Sequence, residues 1–126
     1  RCDVATYSIG QAASMGAVLL AGGAKKKRYA LPNSRILLHQ PLISGTMQGA
    51  ATDLAIEAEE IIRLREDLYR ILANHSGKDI KKVEADCDRN LWLKSEQAIE
   101  YGLADSVLER MPESAAGGKR KADKSK

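Results

Sequence analysis

Gly10-Gln11-Ala12-Ala13-Ser14-Met15-Gly16-Ala17 is the stretch on which the fold turns. A serine stands there among residues with almost no side chain, between a segment that reads as a strand and one that reads as a helix. Upstream, Asp3 to Ile9 alternates and is partly β-branched or aromatic, the pattern of a strand. Gly10 to Ala13 reads as a small-residue turn. Downstream, Met15 to Ala21 favours helix and Gly22-Gly23 ends it. A hydrolase nucleophile needs such a turn: its side chain must stand clear of its neighbours, and the next backbone N–H must point at the substrate oxyanion. A helix starting at that point adds a favourable dipole. Ala12-x-Ser14-x-Gly16 has the form of a nucleophile elbow with alanine in place of the first glycine. A serine capping an apolar helix accounts for the same residues, and the local sequence does not choose between the two.

Working outward, Lys25 to Arg28 is a solvated basic run, Arg28 to Leu31 a short strand closed by Pro32-Asn33-Ser34, and Arg35 to His39 another strand, stopped by Pro41. Strand, helix, strand and strand in close succession predict an α/β domain. Leu42 to Ala51 reads as irregular or loosely extended. Leu54, Ala58, Ile61, Leu64, Leu68, Ile71 and Leu72 then recur at steps of three and four, the spacing of one helix face. Glu59 with Arg63 and Glu66 with Arg70 are ion pairs in the favourable order. Thr52 or Asp53 is the expected cap and Gly77 the stop. From Asp53 to Asn74 such a helix is about 33 Å long, enough to protrude from a small body. A short helix over Asp79 to Cys87, a strand over Leu91 to Leu93, a helix capped by Ser95 and ended at Gly102, and a strand over Asp105 to Leu108 complete the ordered part. Residues 112–126 are rich in Ser, Ala, Gly and charge and are expected to be disordered.

The chain has 126 residues, enough for one core, with one Trp, four Tyr and no Phe, so that core must come mainly from Leu, Ile, Val and Ala. The net charge of +3 resides in the tail: Lys119 to Lys126 alone carries +4, leaving −1 on residues 1–118. A near-neutral body argues against a nucleic-acid-binding domain. Cys2 and Cys87 lie far apart without metal-ligand spacing and read as free thiols of a reducing compartment. The longest apolar run, Met15 to Ala24, is too short to span a bilayer. No signal peptide is visible, and a start at Arg1 rather than Met leads to the expectation that the true N-terminus lies upstream.

His39 ends an apolar strand 25 residues after Ser14. It reads either as a satisfied core histidine or as a base brought to the same sheet edge as the serine. His75 sits at a helix C-terminus, where a charged imidazole is favoured by the dipole without any chemistry.

Gly10-Gln-Ala-Ala-Ser-Met-Gly16, Lys27-Arg-Tyr-Ala-Leu-Pro-Asn-Ser34, His39-Gln-Pro-Leu42 and Glu100-Tyr-Gly-Leu103 together resemble, in order and spacing, the proteolytic subunits of the Clp protease family (ClpP). The resemblance runs over roughly residues 3–108 and implies an α/β fold of the ClpP/crotonase-like kind, N-terminally incomplete here, with a long protruding handle helix. It implies a partial peptidase domain over residues 1–111, with the handle over roughly 42–76. The activity implied is a serine endopeptidase with Ser14 as nucleophile, His39 as general base and the Met15 N–H as an oxyanion donor. The family's other oxyanion donor comes from a glycine-rich segment upstream of anything present here.

The triad acid position, ten residues before Glu100, holds Asn90, within Asp86-Cys87-Asp88-Arg89-Asn90. An asparagine can accept the His Nδ1–H bond but cannot stabilise the imidazolium by charge. The expectation is therefore a weakened peptidase, unless Asp86 or Asp88 takes the role. Pro41, Leu42, Ile43, Ser44 and Gly45 are the implied substrate-binding residues, on an edge strand over Leu42 to Gln48 that is about two residues longer than the family pattern.

The resemblance further implies a tetradecamer of two heptameric rings in the cytoplasm. A Clp-type AAA+ unfoldase would feed unfolded polypeptide and use the ATP, with no cofactor, metal, nucleic acid or membrane partner for this chain. Two other readings stay open: a regulatory paralogue that assembles with an active subunit, and a relative acting on acyl-CoA thioesters, against which the Ser14/His39 pair argues. A chain lacking a strand pair is also expected to aggregate on its own.

Overall fold

One helix bridges two pairs of parallel strands. In the computed structural model, which describes residues 2–43 and 45–109, the chain runs β1 (Thr6–Ser8), β2 (Gln11–Ala13), α1 (Met15–Ala21), β3 (Arg28–Ala30) and β4 (Arg35–Leu38). The second half adds α2 (Ala51–Ser76), α3 (Ile80–Cys87), β5 (Leu91–Lys94), α4 (Ser95–Tyr101) and β6 (Ser106–Val107). Ser44, the boundary expected at residue 111 and the tail over 112–126 lie outside the described residues.

β1 pairs with β3 and β2 with β4, both parallel, so each of two extended segments breaks midway and serves two sheets. The first sheet has the order β1-β3-β6 and the second β2-β4-β5, with β5 antiparallel to β4. The seven-residue α1 is the crossover between the parallel partners. Its Ala17, Leu20 and Ala21 are buried against Ile36 and Leu38 of β4, Tyr69 and Leu72 of α2, Val83 and Cys87 of α3, and Tyr101 and Leu103. Small residues on α1 and β2 let the helix lie close to the sheet.

Two strand expectations change. Gln11–Ala13 is a strand and not a turn, because Ala12 and Ala13 find partners in Ile36 and Leu37 across the parallel ladder. The strand expected over Asp3 to Ile9 narrows to Thr6–Ser8, the only part with partners in β3, and Ile9 beyond it is exposed.

Two cap expectations change as well. α2 begins after Ala50, which makes no side-chain cap, and Thr52 and Asp53 lie inside the helix. At α4 the cap is Lys94, whose N–H donates to the Gln97 side-chain carbonyl at 2.8 Å. Ser95 lies inside that helix, buried, its hydroxyl donating to the Leu31 carbonyl. A hydroxyl in the core takes the acceptor that burial leaves it, whatever its capping propensity. Gly77 and Gly102 end their helices in the left-handed conformation, as expected.

The 26 residues of α2 extend about 39 Å at 1.5 Å per residue. Residues 51–60 are exposed on all sides, including Leu54 and Ile56. Only the C-terminal half meets the core, through Tyr69 and Leu72. The expected protrusion is therefore present, and its apolar stripe continues past the body.

Candidate active site

Ser14 occupies the sharp turn where β2 ends and α1 begins. Its N–H donates to the Leu37 carbonyl at 3.0 Å, as though to continue the ladder with β4, while its own carbonyl already accepts from Ala17 at 3.0 Å and Val18 at 3.3 Å in the first helical turn. Serving sheet and helix at once puts Ser14 at φ 55° and ψ −119°, a conformation that costs a non-glycine residue of order 1–3 kcal/mol. The hydroxyl makes no capping hydrogen bond, so the capping explanation for this serine falls away, and the residue is exposed. Gly16 is not sterically obligatory: a Cβ added there would meet the Ala12 Cβ at an ordinary 3.9 Å.

His39 follows β4, which is held on both sides by β2 and β5. Ala13 pairs with Leu37, so Ser14 and His39 leave adjacent parallel strands at the same edge. Both line one cavity of about 350 Å³, with Met15, Val18, Leu38, Pro41, Leu42 and, from α2, Leu64, Leu68, Tyr69 and Leu72. Burial raises the Tyr69 hydroxyl above the ordinary tyrosine range. The sequence marked Leu64, Leu68 and Leu72 only as an apolar helix face, and Tyr69 was missed. Leu68 and Leu72 follow Leu64 at steps of four and Tyr69 stands three before Leu72, which was the available signal, but nothing local says that this face turns toward Ser14.

The β4–β5 register runs from Arg35 opposite Lys94 to Leu38 opposite Leu91. The ladder stops there, and His39 and Asn90 are the residues just past it on the two strands. A second cavity is lined by His39, Gln40, Pro41, Leu42, Asp88, Arg89 and Asn90, so His39 stands on the wall between the serine and these polar residues. Asp86 takes no part: its carboxylate is held by the Tyr101 hydroxyl at 2.9 Å and by Lys82. Asp88 is exposed, 3.7 Å from Arg89 Nε. Of the three acidic or amide candidates, two therefore reach the histidine's surroundings and one is committed elsewhere.

Leu42 and Ile43 are exposed, and Gly45 adopts φ 90°. The edge strand expected over Leu42 to Gln48 is not formed among the described residues there. Among the described residues no strand pairs with it, and an extended segment without a partner has no ladder. Ser44 lies outside the described residues. Among them, no group of His, Cys, Asp and Glu is arranged to hold a metal ion, and no helix is long and apolar enough to cross a membrane.

A serine in a strained strand-to-helix turn beside a histidine on the same sheet edge is the layout of a serine hydrolase site on an α/β fold. The profile of the Clp protease family matches residues 1–111. The chain is also similar to the ATP-dependent Clp protease proteolytic subunit of Porphyromonas gingivalis (strain ATCC BAA-308 / W83), 53% identical over 109 residues, which is 86% of this chain and 48% of that relative. The chain belongs to the Clp protease family, and the α/β fold expected from its motifs stands. It spans about half the length of that curated relative.

Proposed function

We propose that this chain carries the nucleophile and base of a Clp protease proteolytic subunit, a serine endopeptidase that hydrolyses peptide bonds of unfolded proteins. The observation that carries the reading is the uncapped hydroxyl of Ser14, in a strained turn on the wall of the cavity it shares with His39. Ser14 Oγ attacks the scissile carbonyl as His39 takes its proton. His39 returns that proton to the leaving amine, and water then hydrolyses the acyl-enzyme by the same route in reverse roles. The Met15 N–H opens α1, has no intrahelical acceptor and donates to the oxyanion. Asn90, which lines the second cavity together with His39, accepts from the imidazole and orients it. Pro41, Leu42, Ile43, Ser44 and Gly45 receive the substrate backbone by strand addition. The apolar walls supplied by α2 accept an apolar substrate side chain next to the scissile bond.

The peptidase domain corresponds to residues 1–111, and the chemistry uses no cofactor or metal. ATP is consumed by a partnering Clp-type AAA+ unfoldase in the cytoplasm. Leu54 and Ile56, exposed on the protruding half of α2, are buried between two heptameric rings of a tetradecamer. Asn90 supports a second reading, in which the subunit contributes little catalysis and acts by assembling with a competent paralogue.

The test is covalent labelling by a fluorophosphonate probe of the protein made from its complete reading frame, with Ser14→Ala as control. Labelling that disappears in the control is expected. No labelling in a folded, assembled protein moves the second reading to the front. Turnover of peptide rather than acyl-CoA thioester separates the peptidase from the thioester-acting alternative.

A further inference from the structure

We infer that Gln40 is a positioning residue of this site, holding the turn that carries Asn90 against the His39 end of β4; the inference rests on the reading of Ser14 and His39 as nucleophile and base. The β4–β5 ladder ends at Leu38 and Leu91, so His39 and Asn90 stand one step past the last pair of the sheet. One residue further along, two hydrogen bonds close the gap. The Gln40 N–H donates to the Cys87 carbonyl at 2.7 Å, and Gln40 Nε2 donates to the Asp88 carbonyl at 2.9 Å. Cys87 is the last residue of α3 and Asp88 its C-cap, where helix carbonyls lack intrahelical donors. Gln40 thus satisfies the end of α3 from the segment that follows β4. The segment from Asp88 to Asn90 is stitched at both ends, by Gln40 on one side and by the pairing of Leu91 with Leu38 on the other.

The choice of asparagine makes this stitch matter. A carboxylate attracts an imidazolium over several ångströms, whereas a neutral amide acts only through a hydrogen bond, which weakens steeply with distance and angle. Gln40 lines the cavity that holds His39, Asp88 and Asn90 but not the one that holds Ser14. It therefore acts through Asn90 and His39 rather than on substrate.

The experiment is steady-state cleavage of a fluorogenic peptide by the protein made from its complete reading frame. Gln40→Met, which removes the side-chain donor, is expected to lower kcat about 10- to 100-fold with little change in KM, the scale of a misplaced catalytic group. In an Asn90→Ala background, Gln40→Met is expected to cost nothing further. Should Gln40→Met not fold, Gln40→Asn, which keeps the amide but loses its reach, takes its place. A Gln40 variant with parental kcat, or a loss that adds in full to that of Asn90→Ala, overturns the inference while leaving the peptidase reading intact. Absence of fluorophosphonate labelling at Ser14 in the unaltered protein overturns both.

Discussion

The guanidinium of Arg28 and the carboxylate of Asp105 meet at 2.6 Å, with the Arg28 side chain almost wholly buried. The same guanidinium donates through Nη1 to the carbonyls of Gly102 at 2.8 Å and His75 at 3.1 Å. One side chain of β3 thereby ties together the approach to β6, the end of α4 and the C-terminal turn of the long helix α2. Removing one member of a buried, hydrogen-bonded ion pair strands the other. Arg28→Met is expected to lower stability by about 3–5 kcal/mol, read from denaturant midpoints. A loss under 1 kcal/mol would mean that the pair is not the fastening described.

The same pair sets an acid dependence. Its hydrogen bonds to Arg28 hold the Asp105 carboxyl below the ordinary aspartate value. A carboxyl with a depressed folded-state pKa stabilises the fold above its unfolded pKa of about 3.9 and loses that contribution as pH falls through the folded value. Thermal unfolding followed from pH 6 downward is expected to show a loss of stability below about pH 4 that is smaller in Asp105→Asn. Equal slopes in the two proteins would contradict it.

Ser14 holds a backbone conformation that glycine adopts more readily. Ser14→Gly and Ser14→Ala both remove the hydroxyl, but only glycine relieves the strain. Ser14→Gly is expected to be the more stable of the two by about 1 kcal/mol, although glycine ordinarily destabilises through backbone entropy. The reverse order by calorimetry would place the strain elsewhere.

Two helix-ending glycines separate conformation from space. Both Gly77 and Gly102 have positive φ, but a Cβ at Gly77 would meet nothing, whereas one at Gly102 would run into the Ser76 backbone. Gly77→Ala is expected to cost about 1 kcal/mol, and Gly102→Ala distinctly more, because backbone cannot step aside as a side chain can. Similar unfolding midpoints for the two variants would refute the steric part.

Burial pushes the Cys87 thiol up to about 11, with Asp86 adding to the shift, while Cys2 is exposed. Because the thiolate is the reactive species, native protein at pH 8 is expected to alkylate at Cys2 and leave Cys87 intact until denatured. Mass spectrometry of partially alkylated protein reads this directly, and early modification of Cys87 would show that α3 opens readily.

Asn90→Asp puts a charge on the wall of the cavity that His39 and Asn90 share. It is expected to raise kcat, by less than the roughly 10⁴-fold that separates aspartate from asparagine in a trypsin-type triad. Asp86→Asn, by contrast, is expected to leave kcat within about twofold, since Tyr101 and Lys82 occupy that carboxylate. An Asp86→Asn variant as impaired as Ser14→Ala would reverse the assignment.

The amino-acid sequence alone determined the helices and their approximate ends, and it marked Ser14 and His39 as the candidate site residues. Helix signals are local: the apolar steps from Leu54 to Leu72, and glycines at 77 and 102 that accept a left-handed backbone, act within a few residues of one another. The motifs around Ser14 and His39 likewise pointed to both residues before any geometry was known.

Only the tertiary structure made Gln11–Ala13 a strand, because its hydrogen-bond partners lie on β4, 24 positions along the chain. It also turned Ser14 from a possible cap into an uncapped elbow, bound Ser95 to the Leu31 carbonyl instead of a helix end, and turned one face of α2 toward the serine's cavity. Among Asp86, Asp88 and Asn90, neighbours within five residues, it alone separated the carboxylate held by Tyr101 from the two residues beside His39. A polar side chain's partner is set by what packing brings within about 3 Å, and packing joins residues that no local pattern connects.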